Sequence, residues 1–320
     1  MSIHLVRERP QKATRDAYGE ALVEIGRERP EVVVLTGDLR DSTRTEYFAK
    51  AFPERFFEVG IAEQNMAGIA AGLATCGYIP FISSFAVFSP GRNFDQIRVL
   101  IAQPSLPVKI VSTHAGITVG EDGISAQAIE DIAMMRALPN MGVVVPADAA
   151  ETRQVIRAIV DVPGPVYVRL GRAAVPVLFE EDYLFQYGKA AKVREGSDAT
   201  IIACGVMVAE ALEAAEELAS EGIEVRVLNM ATIKPLDVAA VVAAAIETGA
   251  IVTAEEHNIL GGLGSAVAET LGEHTPVPMK RVGIADVNAE SGSPRDLMEK
   301  YGLTARHIRG AVKEVLKRKR

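Results

Sequence analysis

The loop at residues 113–123 places several residue types that can do chemistry side by side. It reads Thr-His-Ala-Gly-Ile-Thr-Val-Gly-Glu-Asp-Gly and follows an apolar run that is typical of a buried strand. His114, Glu121 and Asp122 can donate or accept protons and hydrogen bonds. Open α/β sheets bind ligands at the carboxyl ends of their strands, and loops on a rigid scaffold commonly carry function. This loop is therefore predicted to line a binding site rather than to be a plain connector.

Two further patterns are weaker when taken alone. Glu63 lies in the run 58–65, at a predicted strand-to-helix junction, and an acid there is commonly only a helix cap or a partner of the helix dipole. Phe85 and Phe88 lie three residues apart in a chain with 10 Phe and 7 Tyr, and both could be ordinary core residues. Neither pattern by itself indicates a ligand.

A glycine-rich turn at 261–264 could in principle hold a phosphate, because it opens a predicted helix directly after a strand. The dinucleotide fingerprint is incomplete, since Val267 stands where a third glycine is required. The turn is therefore interpreted as a close packing device.

The elements that must position these residues follow a regular alternation. Apolar β-branched runs alternate with helical patterns, which is typical of parallel βα units. In the first half, strands are predicted at 32–36, 79–83, 108–113, 143–145 and 166–170, and helices at 14–28, 64–75, 93–102, 129–137 and 149–160.

The periodicity stops near Pro176, and the segment 176–190 is predicted to be a linker. It would join a first domain, 1–175, to a smaller second domain, 191–320. In the second domain, strands are predicted at 200–203, 224–228, 250–254 and 277–282, and helices at 206–220, 236–247, 265–271 and from 306 onward. The predicted fold class is thus α/β, with two domains that each consist of a mostly parallel sheet flanked by helices.

Composition excludes several classes of protein. With 34 Lys+Arg against 42 Asp+Glu, the formal charge of -8 argues against nucleic-acid binding. The uncharged run 64–91 is interrupted at Gly77 and Pro80, so neither piece is long enough to cross a bilayer, and no membrane association is expected. Two distant cysteines, Cys76 and Cys204, offer no disulfide framework, which favours a reducing, cytoplasmic location.

Taken in order along the chain, these motifs resemble one family. The segments 58–66, 85–88, 114–123 and 146–148 are similar to the pyrimidine-binding domain of transketolase, and the remainder resembles the C-terminal domain of that family. The resemblance covers nearly the whole chain but only the C-terminal half of an ordinary transketolase. It implies a thiamine-diphosphate-binding fold followed by a smaller Rossmann-like domain, as in the second subunit of a split transketolase.

The resemblance implies thiamine diphosphate as the cofactor and assigns residues to it. Glu63 matches the family glutamate that hydrogen-bonds the pyrimidine ring and favours the tautomer that takes the proton from the thiazolium C2. Phe85 and Phe88 match aromatic residues that hold the pyrimidine. Asp38 matches an acid close to the cofactor, whereas a third family aromatic falls at Gly91.

The substrate residues are implied in the same way. Asp122 matches an acid that hydrogen-bonds a substrate hydroxyl, so Glu63, His114 and Asp122 are the expected catalytic residues. Four residues match the family's substrate-phosphate ligands, namely Arg15, Ser42, His114 and Arg172. Guanidinium groups and neutral donors suit a phosphate monoester, so phosphorylated sugars are the expected substrates.

Two departures from the family pattern affect the expected activity. Ala126 stands where the family has a histidine near the carbonyl of the donor sugar. Three explanations are open: the partner subunit supplies the function of that histidine, the donor substrate differs, or the activity is lower. The family also holds Mg2+ and the cofactor diphosphate through a Gly-Asp-Gly motif, which this sequence lacks. An N-terminal, diphosphate-binding partner subunit is therefore expected to hold the Mg2+ or Ca2+. The expected assembly is an alpha2beta2 heterotetramer in which this chain also self-associates, and no metal ligands are assigned to this chain.

Other functions stay open at this point. The beta subunit of a 2-oxo acid dehydrogenase shares the architecture and the activating glutamate, but His114, the loop 120–123 and the four phosphate matches favour transketolase. A deoxyxylulose-phosphate synthase fragment is a second alternative. A non-catalytic regulatory subunit is a third, and Ala126 and Gly91 are the evidence for it.

Overall fold

Runs of buried β-branched residues form the strands, as the alternating pattern predicts. The computed structural model describes residues 5–6 and 9–319. In that part of the chain the strands are β1 (Gln11–Ala13), β2 (Val32–Thr36), β3 (Phe56–Glu58), β4 (Ile79–Phe85), β5 (Lys109–Thr113), β6 (Gly142–Val144), β7 (Val166–Arg169), β8 (Ala174–Pro176), β9 (Ala191–Arg194), β10 (Ala199–Ala203), β11 (Val225–Asn229), β12 (Thr232–Lys234), β13 (Ile251–Asn258) and β14 (Met279–Ile284).

Helices occupy the segments between the strands. They are α1 (Thr14–Glu28), α2 (Arg40–Thr43), α3 (Glu46–Ala51), α4 (Glu63–Thr75), α5 (Phe94–Gln96), α6 (Asp131–Ala137), α7 (Ala149–Ile159), α8 (Met207–Ser220), α9 (Val238–Thr248), α10 (Leu263–His274), α11 (Pro294–Lys300) and α12 (Ala305–Arg318). The helix predicted at 93–102 is a short α turn that continues as a π-helix, Ile97–Ala102. Short 3-10 helices lie at Pro53–Arg55 and Ile117–Asp122.

Two mostly parallel sheets confirm the predicted α/β class. The first has the strand order β12-β6-β7-β5-β4-β2-β3, and its pairs from β6 to β3 are all parallel. The second has the order β14-β13-β10-β11-β9, in which only the edge pair of β11 and β9 is antiparallel. Strands β2 and β5 are buried along their whole length, because helices cover both faces of the sheet.

The two units share a core. Strand β12, which follows β11 of the second sheet, crosses to the first sheet and pairs antiparallel with β6. One hydrophobic cluster accordingly contains Val143 and Tyr167 of the first unit together with Met230 and Ile233 of the second. The sequence analysis placed no strand at 232–234, because a three-residue segment is too short to show a period.

The segment 176–190, interpreted as a linker, packs against both units. Strand β8 pairs with β1, and Leu178 and Phe179 are buried. The Phe179 ring stacks on the Tyr183 ring with the centroids 4.0 Å apart. Apolar burial of this kind ties the connecting segment to the second core.

A buried carboxylate at the start of α7 connects the two units through hydrogen bonds. Glu151 accepts from the backbone N–H of Ala147 at 2.7 Å, from the Tyr183 hydroxyl at 2.8 Å and from the Asn229 amide at 2.7 Å. Burial raises the pKa of Glu151 to about 7, although the hydrogen bonds from Ala147 and Asn229 act in the opposite direction. Asp148, three residues before Glu151, caps the N-terminus of α7. It also accepts from the backbone N–H groups of Leu178 and Phe179 in the connecting segment.

Glu151 should make stability depend on pH. Its pKa in the folded chain lies above the ordinary 4.5, so its contribution is fully present below about pH 4.5 and is lost as the pH rises through 7. Relative to Glu151→Gln, the free energy of unfolding of the wild type should fall by about 3 kcal/mol between pH 4.5 and pH 8, measured by urea denaturation. Glu273→Gln, at an exposed position of α10, should retain the wild-type pH dependence. Parallel curves for the wild type and Glu151→Gln would contradict the assignment.

Candidate active site

The carboxyl ends of neighbouring parallel strands bring the predicted site residues to one edge of the first sheet. Asp38 follows β2, Phe85 ends β4, His114 follows β5 and Arg172 follows β7. Glu63 begins α4, shortly after β3, in the same layer of loops. The prediction of a site at this edge is thus consistent with the arrangement of the strands, since parallel strands all point their carboxyl ends the same way.

Glu63 is a buried carboxylate at the start of a helix. Its side chain is 5% exposed, and its Oε1 accepts from Arg92 Nη1 at 3.1 Å. The Asn93 amide donates to the Glu63 carbonyl at 3.1 Å and so fixes the first turn of α4. Asn93 Oδ1 is buried without a donor among the described residues, which leaves a free acceptor beside Glu63.

Aromatic rings form a continuous stack next to this carboxylate. The Phe85 and Phe88 rings are nearly parallel, with centroids 5.7 Å apart, and the His114 ring lies on Phe85 at 3.8 Å. The Arg92 guanidinium lies over the Phe88 ring at 4.1 Å. A flat heterocycle could extend such a stack, so the arrangement suits an aromatic ligand.

Gly91 has no room for the side chain that the family has there. A Cβ at this position would lie 2.6 Å from the Val87 carbonyl oxygen. Arg92, the next residue, instead covers Phe88 and reaches Glu63. The sequence analysis missed Arg92, although an arginine directly after the missing aromatic could have pointed to it.

A cluster of arginines surrounds His114 at the other end of the stack. Arg15 Nη1 donates to the Ser42 carbonyl at 2.9 Å and lies 3.5 Å from His114 Nε2. The other ring nitrogen, Nδ1, lies 2.8 Å from the Thr113 hydroxyl. Arg15 Nε is buried without an acceptor in the part of the chain that is described. An unsatisfied guanidinium donor of this kind suits an anionic ligand.

Electrostatics at this end favour negative charge. Burial, with the positive charges of Arg15, Arg172 and Arg44, lowers the pKa of His114 to about 3. Burial and the charges of Arg44 and Arg172 also lower the pKa of Arg15, although Asp16 acts in the opposite direction. His114 is therefore neutral at physiological pH and can offer hydrogen bonds but no charge.

Three predicted site residues lie at the margin of this cluster. Arg172 donates to the Val119 carbonyl at 2.7 Å and pairs with Glu121 at 3.3 Å. Asp38 and Asp122 are exposed, and within residues 5–6 and 9–319 their side chains make no hydrogen bond. The backbone of Asp38 is held with a positive φ of 62° by its N–H donating to Glu58 Oε1 at 2.6 Å. The structure thus joins Arg15, Ser42, His114, Phe85, Phe88 and Glu63 through a chain of contacts, and leaves Asp38 and Asp122 open to solvent.

The second unit supports the loop 114–123. Glu256, near the end of β13, accepts from the Thr118 backbone N–H at 2.7 Å. At the far end of the loop, a Cβ on Gly123 would lie 2.3 Å from Ser291 Oγ. The sequence analysis missed Glu256, although consecutive acids at the end of an apolar strand are an unusual signal.

A carboxylate occupies the glycine-rich turn at 261–264. Glu255 accepts from the backbone N–H groups of Leu263 and Gly264, both at 2.7 Å. A Cβ on Gly262 would lie 2.0 Å from Glu255 Oε2. The turn binds a side chain of its own unit, which agrees with its interpretation as a packing device.

Two features are absent from the part of the chain that the structure describes. No group of three or more His, Cys, Asp or Glu side chains is arranged to hold a metal ion. No helix there is both long enough and apolar enough to span a membrane.

Comparison with known proteins agrees with this architecture. The family description "Transketolase, pyrimidine binding domain" matches residues 10–177, and "Transketolase, C-terminal domain" matches residues 188–308. The chain is 48% identical over 310 residues to a putative transketolase C-terminal section from Methanocaldococcus jannaschii, covering 96% of this chain and 97% of that protein. It is 46% identical over 305 residues to a 6-deoxy-6-sulfo-D-fructose transketolase subunit from Clostridium sp. (strain MSTE9), covering 95% of each.

A solved structure extends the agreement to the fold. The structure described as a split gene transketolase, inactive beta4 tetramer, superimposes with a TM-score of 0.91 at 56% identity, covering 96% of this chain and 99% of that one. Its match over nearly the full length of both chains means that the two units and their arrangement are shared. The chain therefore belongs to the transketolase family, of which it carries the pyrimidine-binding and C-terminal domains.

Proposed function

We propose that this chain is a subunit of a thiamine-diphosphate-dependent transketolase that moves a two-carbon ketol unit between sugar phosphates. One observation carries the proposal. A continuous set of contacts runs from the arginine cluster, through the stacked rings of His114, Phe85 and Phe88, to the buried Glu63. An anion-binding end and an acid beside a ring-binding surface are what a sugar phosphate and a heterocyclic cofactor together require.

The residues present fit the pyrimidine half of thiamine diphosphate. Phe85 and Phe88 are nearly parallel rings, and Arg92 covers Phe88 in the absence of a ligand. Glu63 offers a buried carboxyl, and Asn93 Oδ1 offers a free acceptor beside it. When bound, thiamine diphosphate supplies a carbon nucleophile that can attack a ketose carbonyl. Glu63 would hold a proton at its carboxyl oxygen and share it with the pyrimidine ring. The bond from Arg92 stabilises the carboxylate form, so the half-exposed Arg92 would have to turn away as Glu63 takes up this proton.

The anion end would orient the sugar. Arg15 and Arg172 would donate to the terminal phosphate, and neutral His114 would add a hydrogen bond without adding charge. The Ser42 carbonyl accepts from Arg15 and so holds it in place. Ser42, with its hydroxyl, lies on the short helix α2. Asp122 at the rim of the loop would accept from a sugar hydroxyl, and Asp38 would lie near the cofactor. A relative named for a sulfonated sugar makes sulfonate a second terminal anion to test.

The diphosphate half of the cofactor would be bound by a partner. The sequence has no Gly-Asp-Gly motif, and the described residues offer no metal cluster. We therefore propose that a separate diphosphate-binding subunit supplies the Mg2+ or Ca2+ ligands, in an alpha2beta2 assembly in which this chain also self-associates. Relatives of the same extent are described as a C-terminal section and as a split gene product, which supports a two-chain enzyme.

Dependence on the partner can be tested directly. The purified chain alone should show no ketol transfer and no Mg2+-dependent thiamine diphosphate binding by calorimetry, because it lacks the diphosphate ligands. Addition of the diphosphate-binding subunit should restore both. Tight, Mg2+-dependent binding by the isolated chain would contradict this part of the proposal.

Glu63→Gln should stop cofactor activation in the assembled enzyme. The amide keeps the size of the side chain but cannot exchange an acidic proton, so exchange of the cofactor C2 hydrogen should slow by about 10²- to 10⁴-fold. Assembly and thermal stability should stay close to those of the wild type. Glu46→Gln, on the outer helix α3, serves as the matched control and should exchange at the wild-type rate. If the cofactor C2 hydrogen exchanges at the wild-type rate in Glu63→Gln, Glu63 has only a structural role in α4.

Arg172→Ala should discriminate between phosphorylated and unphosphorylated substrates. Loss of a charged hydrogen bond to phosphate should lower kcat/KM for sugar phosphates by roughly 10- to 150-fold, and leave short unphosphorylated aldehydes almost unaffected. Arg172→Lys should recover part of the loss, since it keeps the charge without the planar fork. Arg153→Ala, at an exposed ion pair on α7, is the control. Equal losses for both kinds of substrate would show that Arg172 is structural.

A further inference from the structure

The loop that carries His114 and Asp122 depends on a residue of the other unit. Glu256 is 4% exposed and lies on β13 of the second sheet. Its Oε1 accepts from the Thr118 backbone N–H at 2.7 Å, across the boundary between the two units. Thr118 lies in the 3-10 helix in the middle of the loop.

The carboxylate is itself held by a buried guanidinium. Arg169 Nη1 lies 3.9 Å from Glu256 Oε2, and Arg169 Nη2 donates to the Glu256 carbonyl at 2.9 Å. Asp131 fixes the same guanidinium by accepting from its Nε at 2.8 Å. The guanidinium thus lies between two buried carboxylates of opposite charge and also binds the Glu256 main chain, which fixes the position of Glu256.

The loop backbone is shaped around this carboxylate. A Cβ on Gly116 would lie 2.2 Å from the Glu256 carboxyl group, and Gly116 has a φ of 80°, which disfavours any other residue. Glycine at 116 therefore allows the backbone to approach Glu256 closely enough for the bond from Thr118.

The bond also fixes the residue that anchors Arg172. Val119 directly follows Thr118, and its carbonyl accepts from Arg172 Nη1 at 2.7 Å. Movement of Thr118 would therefore move the acceptor that holds the Arg172 guanidinium. Glu63 is held directly by Arg92 and Asn93 of the segment after β4, and it is linked to the loop only indirectly, through the stacked rings of Phe88, Phe85 and His114 at the start of the loop.

We propose that Glu256 is a positioning residue for substrate recognition, through which the second unit sets the geometry of the anion-binding end. The kinetic part of this inference rests on the proposed function. The structural part does not, because it concerns the conformation of the loop alone.

Hydrogen exchange measured on the purified chain tests the structural part. In Glu256→Ala the amides of residues 116–119 should exchange about 10-fold faster or more, because the Thr118 N–H loses its acceptor. Glu256→Gln should exchange at an intermediate rate, because its amide oxygen can still accept. Gly116→Ala should speed exchange in the same segment by displacing the loop from the carboxyl group.

Glu255→Gln is the matched control. Glu255 is the adjacent residue on β13 and is likewise buried. It accepts from two backbone N–H groups, where Glu256 accepts from one, and those two belong to α10 rather than to the loop. Its substitution should lower the thermal midpoint and leave exchange at 116–119 unchanged. If Glu256→Ala does not fold, Glu256→Gln and Gly116→Ala still show whether exchange at residues 116–119 depends on Glu256. Unchanged exchange in the folded Glu256 and Gly116 variants, or equal acceleration in Glu255→Gln, would overturn the proposal.

Kinetics of the assembled enzyme test the recognition part. Glu256→Gln should raise KM for sugar phosphates about 10-fold with little change in kcat, and should leave short unphosphorylated aldehydes and exchange of the cofactor C2 hydrogen near wild-type values. A fall in C2 exchange, or equal losses on both classes of substrate, would show a general structural role and overturn the recognition part. If the wild-type assembly shows no ketol transfer, the proposed function fails, whereas accelerated loop exchange in the variants would still support Glu256 as the residue that positions the loop.

Discussion

Burial of the Arg169 guanidinium constrains the relation between the two units. A charge removed from water costs several kcal/mol unless good partners replace the lost hydration. Arg169 ends β7 of the first sheet, and its partners are Asp131 of the same unit and Glu256 of the second. The guanidinium has acceptors in the first unit and one in the second, the Glu256 carbonyl, so its full set of partners depends on where the second unit lies. The loop 114–123 is bonded to both units, and its conformation therefore depends on how they are arranged.

The cost of burying charge also bears on the proposed anion-binding end, which is formed by Arg15, Arg172 and His114. Arg15 is half-buried, its buried Nε has no acceptor among the described residues, and its Nη1 lies 3.5 Å from an uncharged imidazole. Positive charge that is only partly compensated costs stability in the free chain, and an incoming anion would relieve that cost. This imbalance supports the proposal that the end binds an anion, whereas the Arg169 guanidinium has carboxylate and carbonyl acceptors within the chain.

At the other end of the stack, the free chain and the proposed function make different demands on Glu63. Its carboxylate is paired with Arg92, which also lies over Phe88. The pair satisfies a buried acid in the absence of a ligand, but the proposed role requires the acid to hold a proton. Arg92 is half exposed and can reach solvent, so it is able to release Glu63 without leaving a buried charge unpaired.

Local pattern was enough to predict the α/β class, the helix at 14–28, the strand at 32–36 and the placement of His114 at the end of a strand, because apolar periodicity and strand ends are properties of short segments. Resemblance added the roles expected of Glu63, Phe85 and Arg15, and these remain proposals.

Other features depend on residues far apart in the chain. Strand β12 crosses to the first sheet, Arg92 reaches Glu63 over 29 residues of sequence, and Glu256 reaches Thr118 over 138 residues. Such contacts have no period or motif, since they depend on how two units pack and on which buried charges must find partners, and only the tertiary structure decides that.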